Sequence, residues 1–225
     1  VGSEETQESL RKLVRVAQNL GQKYDAVVTN PPYMGSSGMG AKLSKYVKDN
    51  YPDSKSDLFA VFIEKCGQMA KKNGYQAMIT QQSFLFLSGL KNLRINLLNN
   101  MSMISVLHMG LGAFGNDFGT VAFVLKKRKI EESRCVFISL AEQRDSKQKK
   151  YVYLSKNAPK YTHFLYEFKK LPNCTFSYMI TNKTLRRFDN EILEKDFISG
   201  GRNKTHNDEE YLRFHWEVIN ESVKW

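Results

Sequence analysis

The sequence predicts an α/β fold, a mostly parallel sheet with helical connections. Three observations carry this expectation. Short apolar runs at residues 25–29, 75–80 and 104–109 have the length and make-up of strands buried on both faces. Segments with apolar residues at helical spacing lie between them. The resulting rhythm of strand, helix, strand, helix, strand is that of right-handed crossovers in one parallel sheet.

The elements follow in order. Ser3 suits a helix N-cap, with Glu4 and Glu5 in the first turn, and Leu10, Leu13, Val14, Ala17 and Leu20 follow at helical spacing up to Gly21. This helix is expected to pack on the sheet and feed the strand at 25–29. Residues 34–56 read as a loop with a short helix carrying Lys42, Lys45 and Lys48, where the lysines either meet phosphates or stay solvated. Asp57 starts a helix with Leu58, Phe59, Phe62, Ile63, Cys66, Met69 and Ala70 inward, ending at Lys71-Lys72-Asn73-Gly74, with Gly74 as a left-handed cap. The strand at 75–80 comes next, then a helix capped by Ser88 with Leu90, Leu93, Leu97 and Leu98 inward, then the strand at 104–109. The glycine-rich stretch from Gly110 to Gly119 lets a backbone approach a ligand closely. Residues 120–125 read as an antiparallel strand that closes the sheet, and 134–140 as a further strand. Between these two strands Lys126-Lys127-Arg128-Lys129 forms a basic run, either a solvated turn or a phosphate contact. Residues 142–150 read as an exposed loop, 151–154 as a last short strand, and Tyr161, Phe164, Leu165, Phe168 and Leu171 as a helix.

Composition sets the outer limits. The 225 residues suffice for one domain or one and a half small ones, and no apolar run approaches membrane-spanning length. Nothing at the amino terminus reads as a signal peptide, so a cytoplasmic location without membrane contact is expected. Cys66, Cys135 and Cys174 are odd in number and lack ligand spacing, and His108, His163, His206 and His215 form no cluster; no metal is expected. His108, in an apolar strand, reads as a satisfied core histidine. Net charge is +11. Residues 1–120 carry 13 basic and 9 acidic groups, a net +4, and residues 121–225 carry 21 and 14, a net +7. A polyanionic partner fits that balance.

The stretch with the most chemistry is Asn30-Pro31-Pro32-Tyr33, directly after the first strand. Neither proline donates an N–H, and each forces its predecessor into an extended conformation. A stiff corner results at the carboxyl edge of the sheet, where open α/β sheets bind ligands. The Asn30 side-chain carbonyl and the Pro31 carbonyl can together accept both hydrogens of an –NH2 group, and Tyr33 offers a flat face for a base. That set suits an extruded base with an exocyclic amine, such as adenine.

Asn30-Pro31-Pro32-Tyr33-Met34-Gly35, with the run from Tyr51-Pro52-Asp53 through Asp57-Leu58-Phe59 to Glu64-Lys65, resembles the adenine-specific DNA methyltransferases of phage-defence systems. The likeness is to the BREX-type PglX family and the fused Type IIG restriction–modification enzymes. It implies an incomplete Rossmann-like S-adenosylmethionine methyltransferase sheet, parallel strands plus one antiparallel, over residues 1–157. An α+β target-recognition region would begin at 158–225. It implies catalytic roles for Asn30, Pro31, Pro32 and Tyr33, and base stacking between Tyr33 and Phe114, with Phe118 in reserve. Cofactor contacts would come from Asn30 and Phe62, and DNA contacts from Lys42, Lys45, Lys126, Lys127 and Arg128. The family's recognition blocks are matched at 198–207 and 211–218, although His206-Asn207 stands where the family has Gly-Asp. The glycine-rich loop and ribose-binding acid of a complete cofactor site are not found upstream of Asn30. The resemblance therefore implies a fragment with little activity alone, which partners the remainder of the enzyme, double-stranded DNA and other defence subunits. The same four residues also serve RNA and protein-glutamine methylation, and a non-catalytic recognition or assembly module is the alternative from another class.

Overall fold

The computed structural model describes residues 3–114, 118–130 and 132–190. The described fold is a six-stranded mixed sheet: β1 (Tyr24–Thr29), β2 (Ala70–Gln81), β3 (Ser102–Gly110), β4 (Thr120–Lys126), β5 (Arg134–Ser139) and β6 (Lys160–Phe164), in the order β1-β2-β4-β3-β5-β6. β1 runs parallel to β2, and β3 parallel to β5. β4 is antiparallel to both β2 and β3 and sits between them, rather than closing the sheet at its border. β6 adds a second antiparallel strand beside β5. The helices are α1 (Glu4–Gly21), α2 (Ala41–Asn50), α3 (Leu58–Met69), α4 (Lys91–Asn100), α5 (Ser146–Leu154) and the one-turn α6 (Asn182–Leu185).

One face of the sheet holds the core. Met78, Val106, Val121, Phe123, Leu125, Cys135 and Phe137 are buried there against Phe59, Ile63, Phe84, Leu93, Leu97, Phe168 and Phe176. Strand alternation sends every second residue the other way. On that second face Val28, Ala77, Ile79, Leu107, Ala122, Val124 and Ile138 line an open concavity of about 490 Å³. Among the described residues Tyr153 of α5 is the one lining residue from outside the sheet and Asn30, and Val28 stays 74% exposed.

Several expectations need correction. α1 forms, capped by the Ser3 hydroxyl accepting from the Thr6 amide, but it buries no residue, and Leu10, Leu13, Val14 and Leu20 are all more than half exposed. α3 ends at Met69, and residues 70–74 belong to β2. Tyr24 pairs with Ala70 and Ala26 with Tyr75, so residues 71–74 bulge out of register. The left-handed residue there is Asn73 (φ 64°). Gly74 is needed for another reason: a Cβ on it would lie 2.9 Å from the Asp25 carbonyl oxygen and 3.1 Å from that of Tyr24. Ser88 begins a single 3-10 turn (Ser88–Leu90), and α4 starts after it without a side-chain cap.

Residues 151–154, read as a strand, complete α5. Asp145 caps that helix by accepting from the amides of Lys147 and Gln148, both at 2.9 Å. Residues 160–164, read as part of a helix, form β6, and the helical turn that follows is 3-10 (Leu165–Lys170). The expected boundary at 157/158 lies between α5 and β6, and both belong to the compact unit Val1–Asp189. The recognition-like blocks at 198–207 and 211–218 lie outside the described residues. Among the described residues no helix is long and apolar enough to cross a membrane.

Candidate active site

β1, β2, β3 and β5 all end at one edge of the sheet, where β4 and β6 begin. Asn30 stands at that edge directly after β1 and is exposed; Pro31 is buried, Pro32 exposed and Tyr33 half-buried. The Tyr33 hydroxyl donates to the Asn30 side-chain carbonyl at 3.1 Å and approaches the Ile79 carbonyl at 3.4 Å. Its ring meets Phe59 edge-to-face, with centroids 6.2 Å apart. Partial burial raises the Tyr33 pKa, so the hydroxyl stays protonated and a donor. One lone pair of the Asn30 carbonyl is thus taken, and the second is left for an incoming donor.

Asp57 fixes the loop beyond Tyr33. Its Oδ1 accepts from the Met34 amide at 3.1 Å and from the Phe59 amide at 3.2 Å. The Leu58 amide donates to the Met34 carbonyl at 2.9 Å, and the Ser36 amide to the Ser56 carbonyl at 3.0 Å. Asp57 reads from sequence as a helix cap; its second role, across the corner, has no sequence signal. Phe62, three residues beyond Phe59 on α3, is half-buried between the main core and a smaller cluster of Met39, Val47, Tyr51, Leu58 and Val61. That smaller cluster seats α2, on which Lys42 and Lys45 are exposed.

The glycines at the end of β3 make close approaches within the protein. Gly110 (φ +68°) and Gly112 (φ +75°) allow close contact with the segment after β5, since Cβ atoms there would lie 2.8 Å from Ala141 Cα and 2.5 Å from the Arg144 carbonyl oxygen. Phe114 and Phe118 at this edge are 59% and 55% exposed. The β1 and β3 axes are three strand spacings apart, about 14 Å, so Phe114 and Tyr33 are on one edge but on separate strand ends.

Lys126, Lys127 and Arg128 are not brought to this edge. Lys126 ends β4 at its far end, about 20 Å along a seven-residue strand, and Lys127 and Arg128 follow it. There Lys126 lies over the Tyr75 ring at 5.3 Å, and the Lys127 ammonium donates to the Ala70 carbonyl at 2.9 Å.

A partly buried polar chain backs the edge. His108 Nε2 is 2.6 Å from the Gln82 side-chain carbonyl and Nδ1 is 2.6 Å from the Tyr178 hydroxyl, which lies 3.2 Å from the Ser139 hydroxyl. A neutral ring protonated on Nε2 donates to Gln82 and accepts from Tyr178. Burial, then the charge of Lys149, lowers the His108 pKa. His108 is therefore a satisfied core histidine, as its apolar setting suggested. Arg94 is wholly buried and donates to the carbonyls of Phe84, Leu87 and Asn173. Neither Arg94 nor Tyr178 stands out in sequence, because their partners are distant in the chain. Among the described residues no group of three or more His, Cys, Asp or Glu side chains could hold a metal ion.

Comparison with known proteins gives a consistent picture. The adenine-specific methyltransferase BrxX of Escherichia coli O9:H4 (strain HS) is 37% identical over 179 residues, 78% of this chain and 15% of that protein. The adenine-specific methyltransferase PglX of Lacticaseibacillus casei (strain Zhang) is 35% identical over 210 residues, 86% of this chain and 17% of that protein. The chain therefore spans about one sixth of the length of these relatives. The fold resembles that in a cryo-electron-microscopy structure of a DrdV–DNA complex, with a TM-score of 0.58 at 12% identity, over 76% of this chain and 20% of that one. The model of the Eco57I restriction-modification methylases matches residues 3–114, the span that holds the Asn30–Tyr33 corner, Asp57 and α3. Over those residues the chain is similar to the Eco57I restriction-modification methylases, and the likeness to BrxX and PglX runs on beyond them.

Proposed function

We propose that this chain carries the target-base half of a DNA adenine-N6 methyltransferase site, working within a longer enzyme of a restriction or phage-defence system. The observation that carries the reading is the exposed Asn30 amide at the carboxyl edge of the sheet, oriented by the Tyr33 hydroxyl at 3.1 Å. The N6 amine of adenine is a weak nucleophile because its lone pair is delocalised into the ring. The free lone pair of the Asn30 carbonyl and the Pro31 carbonyl accept the two amine hydrogens, which favours a pyramidal nitrogen. The same fixed dipoles stabilise positive charge developing on it. The Tyr33 ring, steadied by Phe59, supplies the stacking surface that offsets part of the cost of extruding the base.

S-adenosylmethionine, when bound, supplies the electrophilic methyl group. The residues present fit one side of it: half-buried Phe62 offers an apolar face for its adenine, and Asn30 borders the concavity on the open sheet face. The strands that end at this edge finish in Thr29, Gln81, Gly110 and Ser139, so among the described residues no strand-end carboxylate is placed to hold the ribose. The remainder of the enzyme would supply that group, and would cover both the bare sheet face and the exposed apolar stripe of α1. In this reading Lys42 and Lys45 meet DNA phosphates beside the corner, Phe114 closes on the base from β3, and residues 158–225 lead into target recognition.

The test is transfer of radiolabelled methyl groups to double-stranded DNA by the complete enzyme. Asn30→Ala is expected to lower the rate about a hundredfold or more. Its melting temperature should hold, since Asn30 is exposed and gives up one hydrogen bond. Wild-type transfer by Asn30→Ala would remove the assignment.

A further inference from the structure

We infer that Asp57 is a positioning residue for the Asn30–Tyr33 corner, beyond its service as the cap of α3; this rests on the methyl-transfer reading above. A helix cap needs one acceptor for one orphan amide of the first turn. Asp57 Oδ1 accepts two amides from different parts of the chain: Phe59 in the helix and Met34 immediately after Tyr33. The backbone reinforces the link, with Leu58 donating to Met34, and Gly35 bridged antiparallel to Asp57. The chain on both sides of Tyr33 is thereby set: β1 and the prolines before it, the Asp57 clasp after it.

The helix clasped is the one that matters to the corner. α3 carries Phe59, whose ring meets Tyr33 edge-to-face, and Phe62, the candidate cofactor face. Loss of the clasp leaves residues 34–36 held by the backbone bonds to Leu58 and Ser56 alone and lets Tyr33 shift against Phe59, and with it the hydroxyl that orients the Asn30 amide. A misplacement of about 1 Å at such a centre can cost roughly a hundredfold in rate. An acceptor at the Oδ1 position, rather than a hydroxyl, is called for because it must reach across to the Met34 amide while still capping the helix.

Two variants separate clasp from cap. Asp57→Asn keeps an oxygen at the Oδ1 position, and Asp57→Ser keeps a good N-cap but is too short to span both amides. In the complete enzyme Asp57→Asn should stay within about threefold of wild type. Asp57→Ser should lose roughly ten- to a hundredfold in kcat with less than a threefold change in KM for the methyl donor. Hydrogen exchange at the Met34 amide should quicken at least tenfold in Asp57→Ser and stay slow in Asp57→Asn. The inference is overturned if Asp57→Ser keeps full kcat, or if Met34 exchange is unchanged by it. Asn30→Ala, run alongside, tells the two readings apart. An inactive Asn30→Ala beside a fully active Asp57→Ser defeats the clasp alone, whereas a fully active Asn30→Ala defeats the methyl-transfer reading on which it rests.

Discussion

Replacing Arg94 with alanine tests how the segment after β6 is bound to the turns that follow β2. Its guanidinium, with no exposed surface, spans three carbonyls: Phe84 at 2.9 Å, Leu87 at 2.8 Å, and Asn173 at 3.2 and 3.0 Å. Burial lowers its pKa, yet an arginine stays protonated at any working pH. Taking the side chain away strands three acceptors, each at a cost of about 1–3 kcal/mol if left unpaired. Water entering the vacated space satisfies part of this, so the net loss is about 3–5 kcal/mol, or roughly 6–20 °C in Tm for a chain of this size. Arg94→Met keeps most of the volume but none of the donors and should lose about 3 kcal/mol. Arg94→Lys keeps the charge without the planar fork and should fall between. Urea unfolding followed by far-UV circular dichroism reads the midpoint and slope together. If Arg94→Met unfolds within about 0.5 kcal/mol of wild type at unchanged slope, the three carbonyls do not depend on this side chain and the reasoning fails.

Other expectations are quickly checked. The His108 imidazole is held below its ordinary pKa of about 6.5 by burial and by Lys149, so the unfolded chain binds this proton at higher pH than the folded one. Its contribution is therefore nil above about pH 7.5 and turns against the fold as pH falls below about 6.5, with a slope of up to about 1.4 kcal/mol per pH unit until the folded form also protonates. Subtracting the His108→Asn stability curve from that of wild type should expose this slope, and parallel curves between about pH 5 and 6.5 would contradict it. Gly112→Ala puts a Cβ 2.5 Å from the Arg144 carbonyl oxygen at φ +75° and should destabilise by about 2 kcal/mol or more. Gly89→Ala, with nothing within 4 Å, is its control and should change the midpoint little.

The parts of the fold that were legible in the sequence were those set by local pattern. The strand cores of β1 to β5 follow from apolar runs, the Asp57 cap from a side chain next to its helix, and the Asn30–Tyr33 corner from two prolines after a strand. Elsewhere distant partners decide. Tyr161 to Leu171 has helical spacing, but Tyr161 and His163 pair with Phe137 and Cys135 of β5, and that pairing overrides it. The end of α3 is set by pairing: β1 takes Ala70 and Tyr75, and β4 takes Tyr75, into extended register. α5 has a local signal of its own, since Asp145-Ser146-Lys147-Gln148 is a good capped start. At the site, the Asn30–Tyr33 bond spans three residues and is inferable in kind, whereas the Met34–Asp57 bond spans 23 and is not.

The place of β4 has a consequence for synthesis. β2 and β3 each hydrogen-bond to β4, not to one another, so the middle of the sheet is filled by the last of the three strands to be made. The edge of β2 leaves the ribosome roughly 40 residues ahead of its partner, a wait of about 2–8 s at ordinary elongation rates. During that interval two nascent strand edges lie bare, and a message cut short before Lys126 would leave them so permanently, as templates for pairing with other chains.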